Sequence, residues 1–75
     1  MQKKVIMFYD ADSECWCVQL NDKIYGLNCG ESFKLSIDGK LIPCTLELDS
    51  DWYVVMKDVR FYLRQKDKYK VVLNY

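Results

Sequence analysis

The dipeptide Asp38-Gly39 sits between two stretches whose residues alternate between apolar and polar, and it constrains this chain more than any other feature. Asp-Gly favours a two-residue turn with both residues at positive φ, the geometry that joins adjacent antiparallel strands. Such a turn fixes the pairing: Ile37 faces Lys40, Leu35 faces Ile42 and Phe33 faces Cys44. Cross-strand partners share a face, so the register can be checked against the sequence itself. It predicts Phe33, Leu35, Ile37, Ile42, Cys44, Leu46 and Leu48 on the core side. Lys34, Ser36, Leu41, Pro43, Thr45 and Glu47 then point outward, and only Leu41 breaks the pattern, an apolar residue left outside near Pro43. Pro43 has no N–H to give a ladder, which predicts an edge or an irregularity at that point. After Asp49-Ser50-Asp51, a three-residue loop turns Trp52, Val54 and Met56 inward and Tyr53, Val55 and Lys57 outward. A two-residue loop would bury Lys57 instead.

Outside this stretch, β-branched and aromatic residues predict short strands over residues 3–9, 15–20, 24–27, 60–63 and 69–73. Polar turns separate them at residues 10–14, 21–23 and 28–31, with Gly30 the residue expected at positive φ, and the charged loop 64–68 precedes the last strand. A brief helical turn near residues 57–63 is the alternative there. No segment carries amphipathic helical periodicity over several turns. Many short strands with tight turns predict one all-β domain over the 75 residues, a small antiparallel SH3-like barrel, with an OB-like barrel as the alternative.

Half of the residues are apolar and 15% are aromatic, too hydrophobic for a disordered tail. The longest apolar runs are too short to span a membrane. The apolar run after Lys3 and Lys4 is also too short for a signal peptide, and Asp10 interrupts it, so a cytoplasmic protein beginning at its own Met is expected. The formal net charge is zero, which gives no general drive toward nucleic acid or membrane. Its distribution is uneven: acids cluster at Asp10, Asp12 and Glu14 and again at Glu47, Asp49 and Asp51, while the chain after Lys57 is mostly basic.

Gly26-Leu27-x-Cys29-Gly30-Glu31, then Ile37-Asp38-Gly39-Lys40-x-Ile42-Pro43, then Glu47, then Trp52-Tyr53-x-Val55 form a recognisable series. It resembles a small uncharacterised family of cytosolic proteins from Gram-positive bacteria, often carried on phages and conjugative elements and known as a domain of unknown function. The resemblance covers under half the chain. That family tends to have an aromatic residue where Leu41 sits and a basic one where Thr45 sits, and it tends to stop soon after the Trp-Tyr strand, whereas this chain continues through a basic tail. The resemblance implies a small β-barrel and supplies no activity.

The chain has no histidine, so neither a Ser-His nor a Cys-His nucleophile can be assembled, and its carboxylates cluster only in turns. An enzyme is not expected, and no cofactor is implied. Cys15, Cys17, Cys29 and Cys44 could supply four thiolates to zinc, but Cys-x-Cys with two single cysteines lacks the usual Cys-x2-Cys repeat. Small packing thiols, kept reduced, are the simpler reading, with Cys44 in the core. Asp10-x-Asp12-x-Glu14 begins like a calcium loop, yet Cys15 stands where its glycine belongs and Asn21 where its closing glutamate belongs, so a solvated turn is expected.

Two binding surfaces remain. Leu41, Pro43, Tyr53 and Val55, with Tyr25, fall outside and form an apolar patch on adjacent strands, which suits a protein partner. Arg60, Arg64, Lys66, Lys68 and Lys70, interleaved with Phe61, Tyr62 and Tyr69, suit a nucleic acid unless Phe61 and Tyr69 complete the core and the lysines only solvate edge strands. The residues favour a non-catalytic protein-binding module, which the resemblance implies is an accessory or inhibitory protein of a phage or mobile element, with nucleic-acid binding through the basic tail as the alternative. The sequence leaves the oligomeric state open.

Overall fold

A computed structural model describes the backbone of residues 2–74 and the side chains of residues 4–73. Met1 and Tyr75, the ends of the expected domain, lie outside the described residues. The chain forms eight strands: β1 (Gln2–Asp10), β2 (Cys15–Leu20), β3 (Lys23–Gly26), β4 (Ser32–Ile37), β5 (Lys40–Leu48), β6 (Trp52–Met56), β7 (Val59–Tyr62) and β8 (Tyr69–Asn74). They make one antiparallel sheet in the order β3-β2-β1-β8-β4-β5-β6-β7. Among the described residues no helix is present, and none is long and apolar enough to cross a membrane.

The central hairpin has the pairing its turn demands. Ile37 is opposite Lys40, Leu35 opposite Ile42 and Phe33 opposite Cys44. Asp38 and Gly39 both take positive φ, 50° and 79°, as a primed turn requires. Replacing both with valine forces two β-branched residues into the left-handed region, at about 1–2 kcal/mol each. A lowered chemical-denaturation midpoint with an unchanged slope is the expected readout. The Asp49-Ser50-Asp51 loop pairs Leu48 with Trp52 and Leu46 with Val54, the three-residue solution. Residues 57–63 hold no helical turn: Lys57 and Asp58 form a two-residue turn, with Met56 opposite Val59 and Lys57 at φ 54°.

β1 and β5 shape the sheet. Each is nine residues long and passes from one partner to another along its length. β1 pairs with β8 up to Met7 and with β2 from Met7 on. β5 pairs with β4 up to Thr45 and with β6 from Thr45 on. Strands that hand over in this way bend the sheet around its own inner face. The core there holds Met7, Trp16, Val18, Leu35, Leu46, Val54 and Val71, all fully buried, with Leu27 and Leu63 carried in on the segments that follow β3 and β7. A row of edge-to-face rings spans the fold: Phe61 meets Tyr69 at 6.2 Å, Tyr69 meets Trp16 at 5.7 Å, and Trp16 meets Tyr9 at 5.5 Å. This row packs edge strand β7 against β8, β2 and β1.

The ladder itself does not close. β3 and β7 end the sheet and do not pair with each other, so the expected SH3-like or OB-like barrel is, by hydrogen bonding, an open bent sheet. The second difference is Leu48, which is 46% exposed rather than buried. It points to the core side but is the last residue of β5, where that face runs out into solvent beside the acidic turn. Ile37, Ile42 and Met56, near the other hairpin ends, are half-buried for the same reason.

Candidate functional site

Pro43 shows where β5 stops being covered. The Leu46 N–H donates to the Glu31 carbonyl on the β4 side at 2.9 Å, so alternate residues Pro43 and Thr45 turn their nitrogens toward β6. Pairing with β6 begins only at Thr45, and the missing N–H of Pro43 therefore faces the free side of the strand. Before Thr45, on the Pro43 side, β5 and β6 are apart, and a groove of about 460 Å³ opens on the outer face of the sheet. Pro43 and Val55 line it, with Val72 of β8, which points outward yet is only 6% exposed. The Ser32 and Thr45 hydroxyls share a hydrogen bond of 3.1 Å along it. Lys34 and Lys57 complete the polar lining, and among the described residues no carboxylate contributes.

The four residues expected to contact a protein lie on this one outer face, but not in one place. Pro43 and Val55 line the groove. Leu41 is exposed two residues beyond Pro43, at the end of the central hairpin. Tyr53 is half-buried two residues beyond Val55; it packs on Tyr62 at 5.3 Å and carries the Arg60 guanidinium 4.8 Å above its ring. Arg60 is directly opposite Val55, so this aromatic–arginine cluster adjoins the groove. Tyr25 is exposed on edge strand β3, at the other end of the sheet.

The basic residues proposed for nucleic acid are dispersed. Arg60 is on β7, Arg64 is ion-paired with Asp67 at 3.8 Å, Lys66 and Lys68 are in the loop, and Lys70 is on β8 opposite Ile6. Phe61 and Tyr69 belong to the inner aromatic row, and the Tyr69 hydroxyl accepts the Arg64 N–H at 2.9 Å. Of the three interleaved rings, only Tyr62 is exposed. A second depression, about 570 Å³, touches Asp51, Tyr62, Arg64 and Lys66. It offers a mixed-charge surface whose arginine already has a partner, so the first groove is the better site.

The four cysteines do not converge. Cys15 and Cys17 share one face of β2 with their sulfurs 3.6 Å apart, Cys44 is in the core, and Cys29 is exposed in the 28–31 turn. No group of three or more metal-ligating side chains comes together among the described residues. The acidic loop is occupied with itself: Asp10 accepts the Asp12 N–H at 3.1 Å and the Ser13 hydroxyl at 2.8 Å.

Burial pushes the Cys44 thiol up to about 11, and burial followed by the contact with Cys15 pushes Cys17 up to about 11. The unfolded chain loses these protons nearer pH 9, its folded form keeps them, and stability is therefore expected to fall as pH rises from about 9 to about 11, by up to about 1.4 kcal/mol per pH unit for each thiol. Cys44→Ala should remove about half of that slope. Denaturation midpoints measured across this range check it, and an unchanged slope in the variant would rule out Cys44 as a source.

Lys34, Thr45 and Lys57 were legible as outward residues but not as neighbours of Val72. That convergence depends on Lys34 pairing with Val72 across β4 and β8, which no local pattern reports.

Comparison with known proteins adds family and fold. A crystal structure of a protein from Ruminococcus gnavus, a structural-genomics target, superimposes with a TM-score of 0.76 at 25% identity, covering 95% of this chain and all of the other. No curated protein matches. A domain of unknown function, DUF5348, matches residues 5–73, so the family likeness does not stop after the Trp52-Tyr53 strand but takes in the basic segment and β8. The chain belongs to the DUF5348 family.

Proposed function

We propose that the domain is a non-catalytic binding module that holds a segment of a partner protein in the outer-face groove between Pro43, Val55 and Val72. The observation that carries this reading is Val72: an outward-facing side chain on a central strand, buried beside an open cavity with apolar walls. The cavity is within the size range of ligand pockets and combines apolar walls with a few fixed polar groups, as such pockets do. The dispersal of Arg64, Lys66, Lys68 and Lys70 favours a protein over a nucleic acid. We read the fold as SH3-like in kind, on the support of the two bent nine-residue strands that wrap a single core. An accessory or inhibitory role, in which occupancy of the partner is the whole effect, fits a module of this size.

Two measurements test the reading together. The immobilised domain should retain a protein from a cell lysate, while mixed-sequence DNA and RNA, titrated at low and high salt, should not bind. Nucleic-acid affinity that falls with salt and disappears on charge removal at Arg60, Arg64 and Lys66 would replace it with the alternative.

A further inference from the structure

We infer that the groove selects an acidic segment: carboxylates flanking one aliphatic side chain, on an extended stretch of the partner protein. The inference rests on the binding reading above and adds the chemistry of what is bound. Lys34 and Lys57 line the groove, no carboxylate does, and neither lysine is in an ion pair among the described residues. Lys34 is half-buried, its stem lying along the groove wall, and its ammonium has no counter-charge among the described residues. An arriving carboxylate would supply that charge. Arg60, opposite Val55, extends the positive line beyond the groove, and the Tyr53 ring beneath it restricts where its guanidinium can go.

The neutral lining sets the rest of the specificity. Ser32 and Thr45 have two O–H donors between them and use one in their mutual hydrogen bond. The other can donate to a ligand oxygen. Pro43, Val55 and Val72 offer walls suited to a branched aliphatic side chain. Glu47, opposite Tyr53 on the same outer face, opposes acid at the far end and so limits the acidic stretch to the Lys34–Lys57–Arg60 side.

A nucleic acid fits less well. Among the described residues no aromatic side chain points into the groove to stack on a base, since Phe33 is buried in the core. Of the two rings nearby, Tyr53 is already covered by Arg60 and packed against Tyr62.

A random-peptide display library selected on the intact domain tests this. Enriched peptides are expected to carry an aliphatic residue flanked by Asp or Glu. Lys34→Gln combined with Lys57→Gln should weaken them at least about tenfold, and raising salt from about 50 mM to about 500 mM should weaken the wild type far more than the double variant. These surface substitutions leave the core intact, which circular dichroism verifies. Enriched peptides that are neutral or basic, yet lost on Val55→Asp, would overturn the acidic selectivity and leave the groove reading standing. No enrichment, or peptides indifferent to Val55→Asp and to the lysine variants, would overturn both. Displacement of the peptides by a single-stranded oligonucleotide would overturn the choice of a protein ligand.

Discussion

Trp16→Ala is expected to remove a large share of the domain's stability. Trp16 is fully buried at the centre of the aromatic row, touching Tyr9 on one side and Tyr69 on the other. Truncating a buried tryptophan typically costs about 3–5 kcal/mol, because the lost transfer free energy is joined by the cavity left behind. A domain of this size has roughly 4–11 kcal/mol in total. The row is also what holds β7 against the other half of an unclosed sheet, so the loss falls where the ladder offers no second support. Trp16→Phe should be milder than its change in volume suggests. The Trp16 indole N–H is buried without a hydrogen-bond partner among the described residues, and removing it relieves a desolvation penalty of about 1–3 kcal/mol. Urea denaturation of the three proteins checks the order wild type, then Trp16→Phe close behind, then Trp16→Ala far below.

Val55→Asp is expected to remove binding while leaving the fold in place. Val55 is half-buried on the outer face, so no core packing is lost, and the new carboxylate stands directly opposite Arg60. The change in strand preference is worth up to about 1 kcal/mol, partly offset by that cross-strand pair. In the groove the same change puts a charge where an apolar side chain of the partner would rest. A central contact of this kind carries about 2 kcal/mol or more, a loss of roughly thirtyfold in affinity. Charge removal at Lys66 and Lys68, which are in the loop away from the groove, should change affinity little. Affinity of the captured partner for each variant, with thermal melts alongside, separates the two outcomes.

Local chemistry made much of this fold legible. Asp38-Gly39 determined its turn, the turn determined the register, and the register correctly turned Phe33, Leu35, Cys44, Leu46, Trp52 and Val54 inward. Pro43 marked a free side of β5 that the structure places just before β6 begins to pair. What failed was global. Strand count and alternation are the same for an open bent sheet and a closed barrel; closure depends on whether β3 and β7 meet, and they are far apart in sequence. Leu48 has a core-side direction but no core above it, which alternation cannot distinguish from burial. The site was half visible for the same reason. Pro43 and Val55 were recognisable as outward apolar residues, while Val72 reads as one more residue of an apolar strand until β8 is seen to pair with β4. The basic tail gave the opposite error, since adjacency in sequence suggested a surface that strand alternation then divided between the core and the outside.

The most direct measurement is site-specific photo-crosslinking with benzoylphenylalanine placed at Tyr53 or at Tyr25. Tyr53, on β6, adjoins the groove, and Tyr25 is on edge strand β3 at the other end of the sheet. A groove-bound partner predicts an adduct from position 53 that disappears with Val55→Asp, and none from position 25. An adduct from position 25 alone, or one from position 53 that survives Val55→Asp, would place the partner elsewhere and contradict the account.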